Sequence, residues 1–554
     1  MSALPETSGA AKATRAGGKK PRDMRLDFFR GMAMFIILFA HISGNLWTLW
    51  IPARFGFSDA TEIFVFCSGF ASSLAFGVVF LQRGFLLGLG RIAFRIWQVY
   101  WCHIGIILVA ATISFTIQHY GLGEEGRNYL ARPYLVPIFN ETGEAILGLL
   151  TLTYVPGLFD ILPMYLVILA LVPVVMAAYR FGGRLGVAAL VIGLWVLATL
   201  AGLARQVEPD WTGPAAALAP LGEGLLFLNL PSFPWSDGTW FFNPFAWQLV
   251  FFTGFAFGMR WIPAPPVSPW LVRLAIAVVL LSMPFAWHKF YAYLTGWLPE
   301  GWLSVFFWDA REATRPLWTK TWFGLFRFLH FLSIAYLAWA AVGPGGERLT
   351  RAIRLRVLPS LAWRRIGIGA AILGVLTFPY GWVEEIHAYL PGLERALLVV
   401  VPIVEARWMG LPQILHLLAL LTGLWAALGP RGRAWVLGPA WLSVVPVIRK
   451  VGTQSLAVFV FSIPLAVTLG WILDLTGETM LPVAAANIGG SALLIGVAYT
   501  AAWFRRQPWR GPSPTAAPRT APETGGSGVT MRDTALAVAG PRPHATSAPT
   551  RQSL

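Results

Sequence analysis

The sequence predicts an all-α protein: a polytopic membrane bundle of 10–12 transmembrane helices with both termini cytoplasmic. Three observations predict it. Hydrophobic residues make up 56% of the 554 positions and charged residues only 12%, about half the share of a soluble domain. Twelve stretches approach the ~20 apolar residues that a helix needs to cross a bilayer core. The cations fall unevenly between the segments that join those stretches.

The apolar stretches, in order, are 28–48, 62–81, 96–118, 160–179, 185–204, 244–259, 274–288, 321–342, 366–383, 411–428, 451–473 and 483–504. The sixth and seventh are short, and Pro379 interrupts the ninth. The stretch 144–158 is broken by Pro156 and Gly157 and reads as an interfacial or re-entrant segment. The first stretch follows 27 mostly polar residues and has no small-residue cleavage site after it, so it is expected to stay as an anchor.

Charge sets the orientation. With the N-terminus inside, the inner segments are 1–25, 82–95, 180–184, 260–273, 343–365, 429–450 and 505–554, and they hold 30 of the 42 Lys and Arg. Cytoplasmic loops carry such an excess. The net charge of +16 is therefore a statement of orientation. It is not a nucleic-acid footprint, because the charges are too few for a phosphate-tracking face.

Residues 26–504 form the membrane domain. The basic tail 1–25 and the Pro/Ala/Thr/Gly/Ser-rich tail 505–554 cannot bury a core and are expected to be disordered. Residues 274–343 and 366–429 form a weak repeat, each with a Leu-His-hydrophobic pattern opening its second span, at His330 and His416. The segment 344–450 thus reads as an inserted or duplicated hairpin. Cys67 and Cys102 are the two cysteines, and both fall in apolar stretches, so neither a disulfide framework nor a metal cage is expected.

Ionisable side chains inside a span are costly and mark function. His41 lies in the outer half of the first span, roughly 20 Å beyond Asp27 and Arg30, with Ser43, Gly44 and Asn45 beside it. Its chemistry suits a general base for a hydroxyl acceptor. Asp59 and Glu62 open the second span. They read either as a helix cap or as the carboxylates that orient His41. Asp27 and Arg30 read either as a local ion pair or as a grip on an anionic cofactor, since phosphates favour Arg. Arg327, His330 and His416 are further inner-bundle candidates, and Asn243 and Gln248 are candidates to hold a ligand carbonyl. The aromatic runs SFPWSDGTWFFNP, with Trp240, and PEGWLSVFFWDAREATRPLWTK suit the membrane interface or stacking on sugar rings. No phosphate loop, zinc motif or nucleophile elbow occurs.

Six ordered motifs carry a resemblance: RLDFFRGMAMFIILFAHISGN, FGFSDATEIFVFCSGF, LPMYLVILALVPV, GTWFFNPFAWQL, KTWFGLFRFLHFLSIAYL and GTQSLAVFVFS. Together they resemble the OpgC family, membrane succinyltransferases of osmoregulated periplasmic glucans related to the acyltransferase-3 superfamily. The resemblance implies an O-acyltransferase of the bacterial inner membrane. It would move an acyl group, with succinyl the expected one, from acyl-CoA onto glucan hydroxyls. Acyl-CoA is then a co-substrate, and no permanently bound cofactor, metal or nucleic acid is expected. The implied catalytic group is His41, Asp59 and Glu62. The donor would meet Asp27, Arg30, Arg327 and His330, and the acceptor would meet Asn45, Trp240, Asn243 and Gln248. His41 would act as a base or carry the acyl group itself. Ala40 and Ser43 stand where the family often has Asp and Pro, which moves the partner role to Asp59 or Glu62. His330 or His416 would hold the family's second histidine position, and the flanking match favours His330. The rival class is a proton-coupled transporter of a sugar or organic acid. A third reading is a non-catalytic partner of glucan synthesis.

Overall fold

The structure is a computed structural model of the full chain, and it describes residues 23–132, 134–206, 217–286, 302–353, 360–377, 389–390, 392 and 411–510. Contacts divide the chain into Met1–Arg505 and Arg506–Leu554. Of the second unit only 506–510 are described. The tails expected to be disordered lie almost wholly outside the described residues. So do Pro379 and the central part of the repeat.

Among the described residues the chain is helical, with one isolated antiparallel bridge, Pro231 to Thr239. The helices are α1 (Met24–His41), α2 (Ala60–Arg83), α3 (Phe85–His119), α4 (Thr142–Thr151), α5 (Ile161–Gln206), α6 (Pro244–Gly258) and α7 (Pro269–Ala286). They continue with α8 (Trp302–Ala313), α9 (Leu325–Val342), α10 (Ser360–Leu376), α11 (Leu411–Ala427), α12 (Gly429–Thr453), α13 (Ser455–Thr476) and α14 (Met480–Arg506). Seven are long and apolar enough to cross a membrane: α2, α3, α5, α9, α12, α13 and α14. Helix α5 is two helices in one, broken at Gly183 (φ 57°), and it carries the fourth and fifth apolar stretches. Helices α6, α7 and α11 supply shorter apolar segments.

Three segments read as connections are helical instead. Residues 85–95 extend α3 to 35 residues, about 52 Å at 1.5 Å per residue, well beyond the ~30 Å core. Residues 180–184 surround the Gly183 break. Residues 429–450 belong to α12, whose Pro439 lies in a π turn and whose Pro446 lies within the following helix. Their cations made them look like loops, but charge decides which side a segment occupies and does not prevent helix formation.

Helix α12 packs closely against the first half of α1. Glycines permit the approach: a Cβ at Gly31 would collide with the Ile448 carbonyl, and one at Gly452 with the Asp27 carbonyl. Farther along α12, Trp441 and Val445 pack with Phe28, Val342 and Leu349. A second close crossing joins α2 to α6. Gly69 meets the Phe251 carbonyl and Gly254 meets the Phe66 carbonyl, leaving no room for a side chain at either position. Small residues at such crossings are the usual device of membrane helices.

The alternation of helices sets two ends to the bundle. One end holds Asp27. The other holds His41, the starts of α2, α5, α6 and α9, and the end of α13. Helix α14 runs antiparallel to α1: Asn487 pairs with Asn45, while Tyr499 lies beside Lys450. The start of α1 and the end of α14 thus share the Asp27 end. Helices α10 and α11 pack chiefly on each other, and His416 Nδ1 lies 2.8 Å from the Gly374 carbonyl between them.

Candidate active site

His41 is the last residue of α1 and is partly exposed. Its Nδ1 lies 2.6 Å from the Ile37 carbonyl. A carbonyl only accepts, so Nδ1 carries the proton and Nε2 keeps its lone pair. That is the tautomer a base or an acyl-accepting nucleophile needs. The turn that follows is fixed from the far end of the chain. Asn45 and Asn487 exchange amide hydrogen bonds of 2.9 and 2.8 Å, and both are buried.

The start of α2 stands beside it. Asp59 caps the helix: its Oδ1 accepts from the Thr61 N–H at 2.6 Å, and Glu62 Oε2 accepts from the Asp59 N–H at 2.8 Å. This is a capping box, as one reading of the sequence expects. Each carboxylate has a second oxygen, and each spends it on a cation. Lys320 Nζ donates to Asp59 Oδ2 at 2.5 Å, and Arg327 Nη1 donates to Glu62 Oε1 at 2.7 Å. Burial alone would raise the Asp59 carboxyl. The Lys320 and Arg327 cations outweigh that and hold it well below the usual carboxylate range.

One expectation is thereby corrected. Neither Asp59 nor Glu62 hydrogen-bonds His41, because both are consumed by the cap and by the cations. The Ile37 carbonyl orients the ring, and Asp59 and Lys320 act on it through their fields.

The donor set is also divided. Arg327 and His330 sit with Asp59 and Glu62 at the His41 end. Asp27 and Arg30 sit lower along α1, buried, with Arg30 Nη2 on the Cys67 carbonyl at 2.7 Å. His330 Nδ1 accepts the Ser58 N–H at 3.1 Å and lies 2.8 Å from Ser58 Oγ. Gly56 leaves room for its ring. The structure thus brings His330 to the cluster and leaves His416 in the α10–α11 pair.

The residues expected at the acceptor turn inward. Asn243 caps α6 through the Phe245 N–H at 3.0 Å and donates to the Leu228 carbonyl at 2.9 Å. Gln248 donates to the Val191 carbonyl at 2.7 Å. Asn45 is held by Asn487. These amides build the fold around the site. Trp240 is buried, and its indole N–H makes no hydrogen bond among the described residues.

Sequence reasoning underrated Lys320 and missed Asp160 as a site residue. Lys320 lies on a loop pinned by indoles: Trp247 Nε1 donates to its carbonyl at 2.8 Å, and Trp195 Nε1 donates to that of Phe323 at 3.0 Å. Its ammonium also lies 5.3 Å from the Phe242 ring and 5.9 Å from that of Phe241. The signal was a lone lysine amid aromatics at the mouth of a span. Asp160 is a buried carboxyl just before α5, and its signal was a charge at a span boundary. Among the described residues no group of three His, Cys, Asp or Glu is placed to hold a metal ion.

The site is thus a histidine and two ion pairs gathered at one end of a polytopic helical membrane protein. The chain belongs to the OpgC protein family, whose model matches residues 22–361 and 354–506. The matched stretches run through the segment 344–450. Family membership suggests an acyltransferase-like function. Comparison with curated proteins and with solved structures returned no match.

Proposed function

We propose that the protein is an inner-membrane O-acyltransferase that moves an acyl group, succinyl in the first instance, from acyl-CoA to hydroxyls of a periplasmic glucan. The observation that carries this reading is His41. It has a free Nε2 at the helix end, beside the Lys320–Asp59 and Arg327–Glu62 pairs, in a chain of the OpgC family.

In this reading the Asp27 end faces the cytoplasm, where Arg83, Arg91, Arg348, Arg449 and Lys450 collect and attract the phosphates of CoA. The His41 end faces the glucan. His41 Nε2 takes the proton of the sugar hydroxyl as its oxygen attacks the thioester carbonyl, or it takes the acyl group first and passes it on. In either route the C–S bond breaks, a C–O ester bond forms, and the hydroxyl proton ends on the CoA thiol. In this reading Lys320, beside the site, would offset charge gathering on the carbonyl oxygen.

The buried ionisable groups Asp27, Arg30 and Glu62 are what a proton-coupled transporter would also use. Product analysis separates the two. Mass spectrometry of periplasmic glucans from a deletion strain should lack the acyl mass increment, and plasmid-borne protein should restore it. Glucans of unchanged mass in the deletion strain would count against acyl transfer.

A further inference from the structure

Three side chains of the segment 320–330 hold the start of α2. Lys320 takes Asp59, Arg327 takes Glu62, and His330 takes Ser58. The third contact fixes a proton. The Ser58 main-chain N–H points at His330 Nδ1 at 3.1 Å. A main-chain N–H only donates, so Nδ1 accepts, and the ring carries its one proton on Nε2. A doubly protonated ring would set one N–H against another at Nδ1. The Ser58 hydroxyl, 2.8 Å from the same nitrogen, donates to it as well. His41 is the reverse case: the Ile37 carbonyl accepts from its Nδ1–H, and the lone pair stays on Nε2.

His330 is 1% exposed, and its Nε2 is buried with no hydrogen-bond partner among the described residues. Phe57 stands edge-on to the ring, 6.3 Å between centroids. A Cβ at Gly56 would overlap Cε1 and Nε2, so the edge that carries the proton lies against a residue with no side chain. A buried donor left unpaired costs free energy, and native structures hold few of them. Both substrates of the proposed reaction can supply the missing acceptor, the acyl donor as a carbonyl oxygen and the sugar as a hydroxyl oxygen. We propose that His330 serves the His41 site as a fixed hydrogen-bond donor, giving its Nε2–H to a substrate oxygen, and does not act as a second base. The contact with Ser58 sets this role, because it holds the lone pair on the side of the ring turned to the start of α2. The two histidines are then complementary: His41 Nε2 takes a proton, and His330 Nε2 offers a hydrogen bond.

This inference rests on the acyl-transfer reading of the His41 site, so one of its two readouts is independent of turnover. The first compares His330→Asn with His330→Gln. Asparagine keeps an acceptor where Nδ1 stood, facing Ser58, and loses the far donor. Glutamine keeps an N–H where Nε2 stood and gives up the acceptor. The Asn variant should lose roughly tenfold or more in kcat/KM, the scale of one hydrogen bond to a substrate, and the Gln variant should lose less. A role in holding α2 alone predicts the opposite order. A raised KM for acyl-CoA places the oxygen on the acyl donor, and a raised KM for glucan places it on the sugar. Wild-type kcat/KM for both substrates in the Asn variant overturns the proposal, and so does a Gln variant no better than Asn. The second readout is the nitrogen-15 spectrum of histidine-labelled protein at neutral pH, with the His330 signals assigned by their loss in His330→Asn. Nε2 should be protonated and Nδ1 bare, and the Nε2 signal should move on adding glucan or a non-transferable thioether analogue of the acyl-CoA. A proton on Nδ1, or an Nε2 signal that responds to neither, overturns it. This spectrum decides where the Gln variant does not accumulate. Full acyl transfer by His41→Ala protein would sink the parent reading, while the spectrum would still judge His330.

Discussion

Replacing His41 by alanine should lower acyl transfer about 100- to 10,000-fold, the usual range for a positioned acid–base group, with membrane abundance unchanged. The small structural cost follows from geometry. His41 is the last residue of α1, is partly exposed, and its hydrogen bond to Ile37 is local. The turn beyond it is held by the Asn45–Asn487 pair, which the substitution does not touch. What is lost is Nε2, the one atom of this turn with a basic lone pair. Glucan mass profiles from a strain carrying only the His41→Ala protein check the result. Full acylation at normal protein levels would remove His41 from the chemistry.

The second large effect is on stability. Glu62 is fully buried, and the Arg327 side chain is 10% exposed. Glu62→Gln keeps an oxygen for the Asp59 N–H and so spares the capping box, yet strands a buried guanidinium. The expected loss is about 3–5 kcal/mol. Arg327→Met strands the carboxylate and should cost a similar amount. The double variant buries neither charge alone, so it should be more stable than either single variant. Thermal unfolding of the three purified proteins in detergent measures this as a double-mutant cycle. Strictly additive losses would mean that the pair is not coupled.

Much of this architecture is legible in the residues. Apolar stretches mark helices because a backbone in hydrocarbon must satisfy its own hydrogen bonds. The spans later seen as α6, α13 and α14 are placed within a few residues on that ground alone. The cap of α2 is legible too, since Asp59 and Glu62 stand at capping-box spacing before an apolar run. Partner choice is less legible. A buried amide such as Asn243 or Gln248 looks the same in sequence whether it meets a ligand or a carbonyl of the next helix, and here it meets the carbonyl. The pairing of Asn45 with Asn487 spans 442 positions, and nothing local announces it. The same holds for Lys320, whose role comes from α2 and from the indoles that pin its loop. Helix α12 was hidden because its prolines and cations resemble a loop. The contact with α1 at Gly31 and Gly452 holds it.

Transfer by the purified protein itself is the most direct measurement. The protein would be reconstituted in liposomes with labelled succinyl-CoA on one side and glucan on the other. The account predicts labelled glucan and free CoA in equal amounts, dependent on His41. Uptake of glucan or of free acid with no ester formed would contradict it.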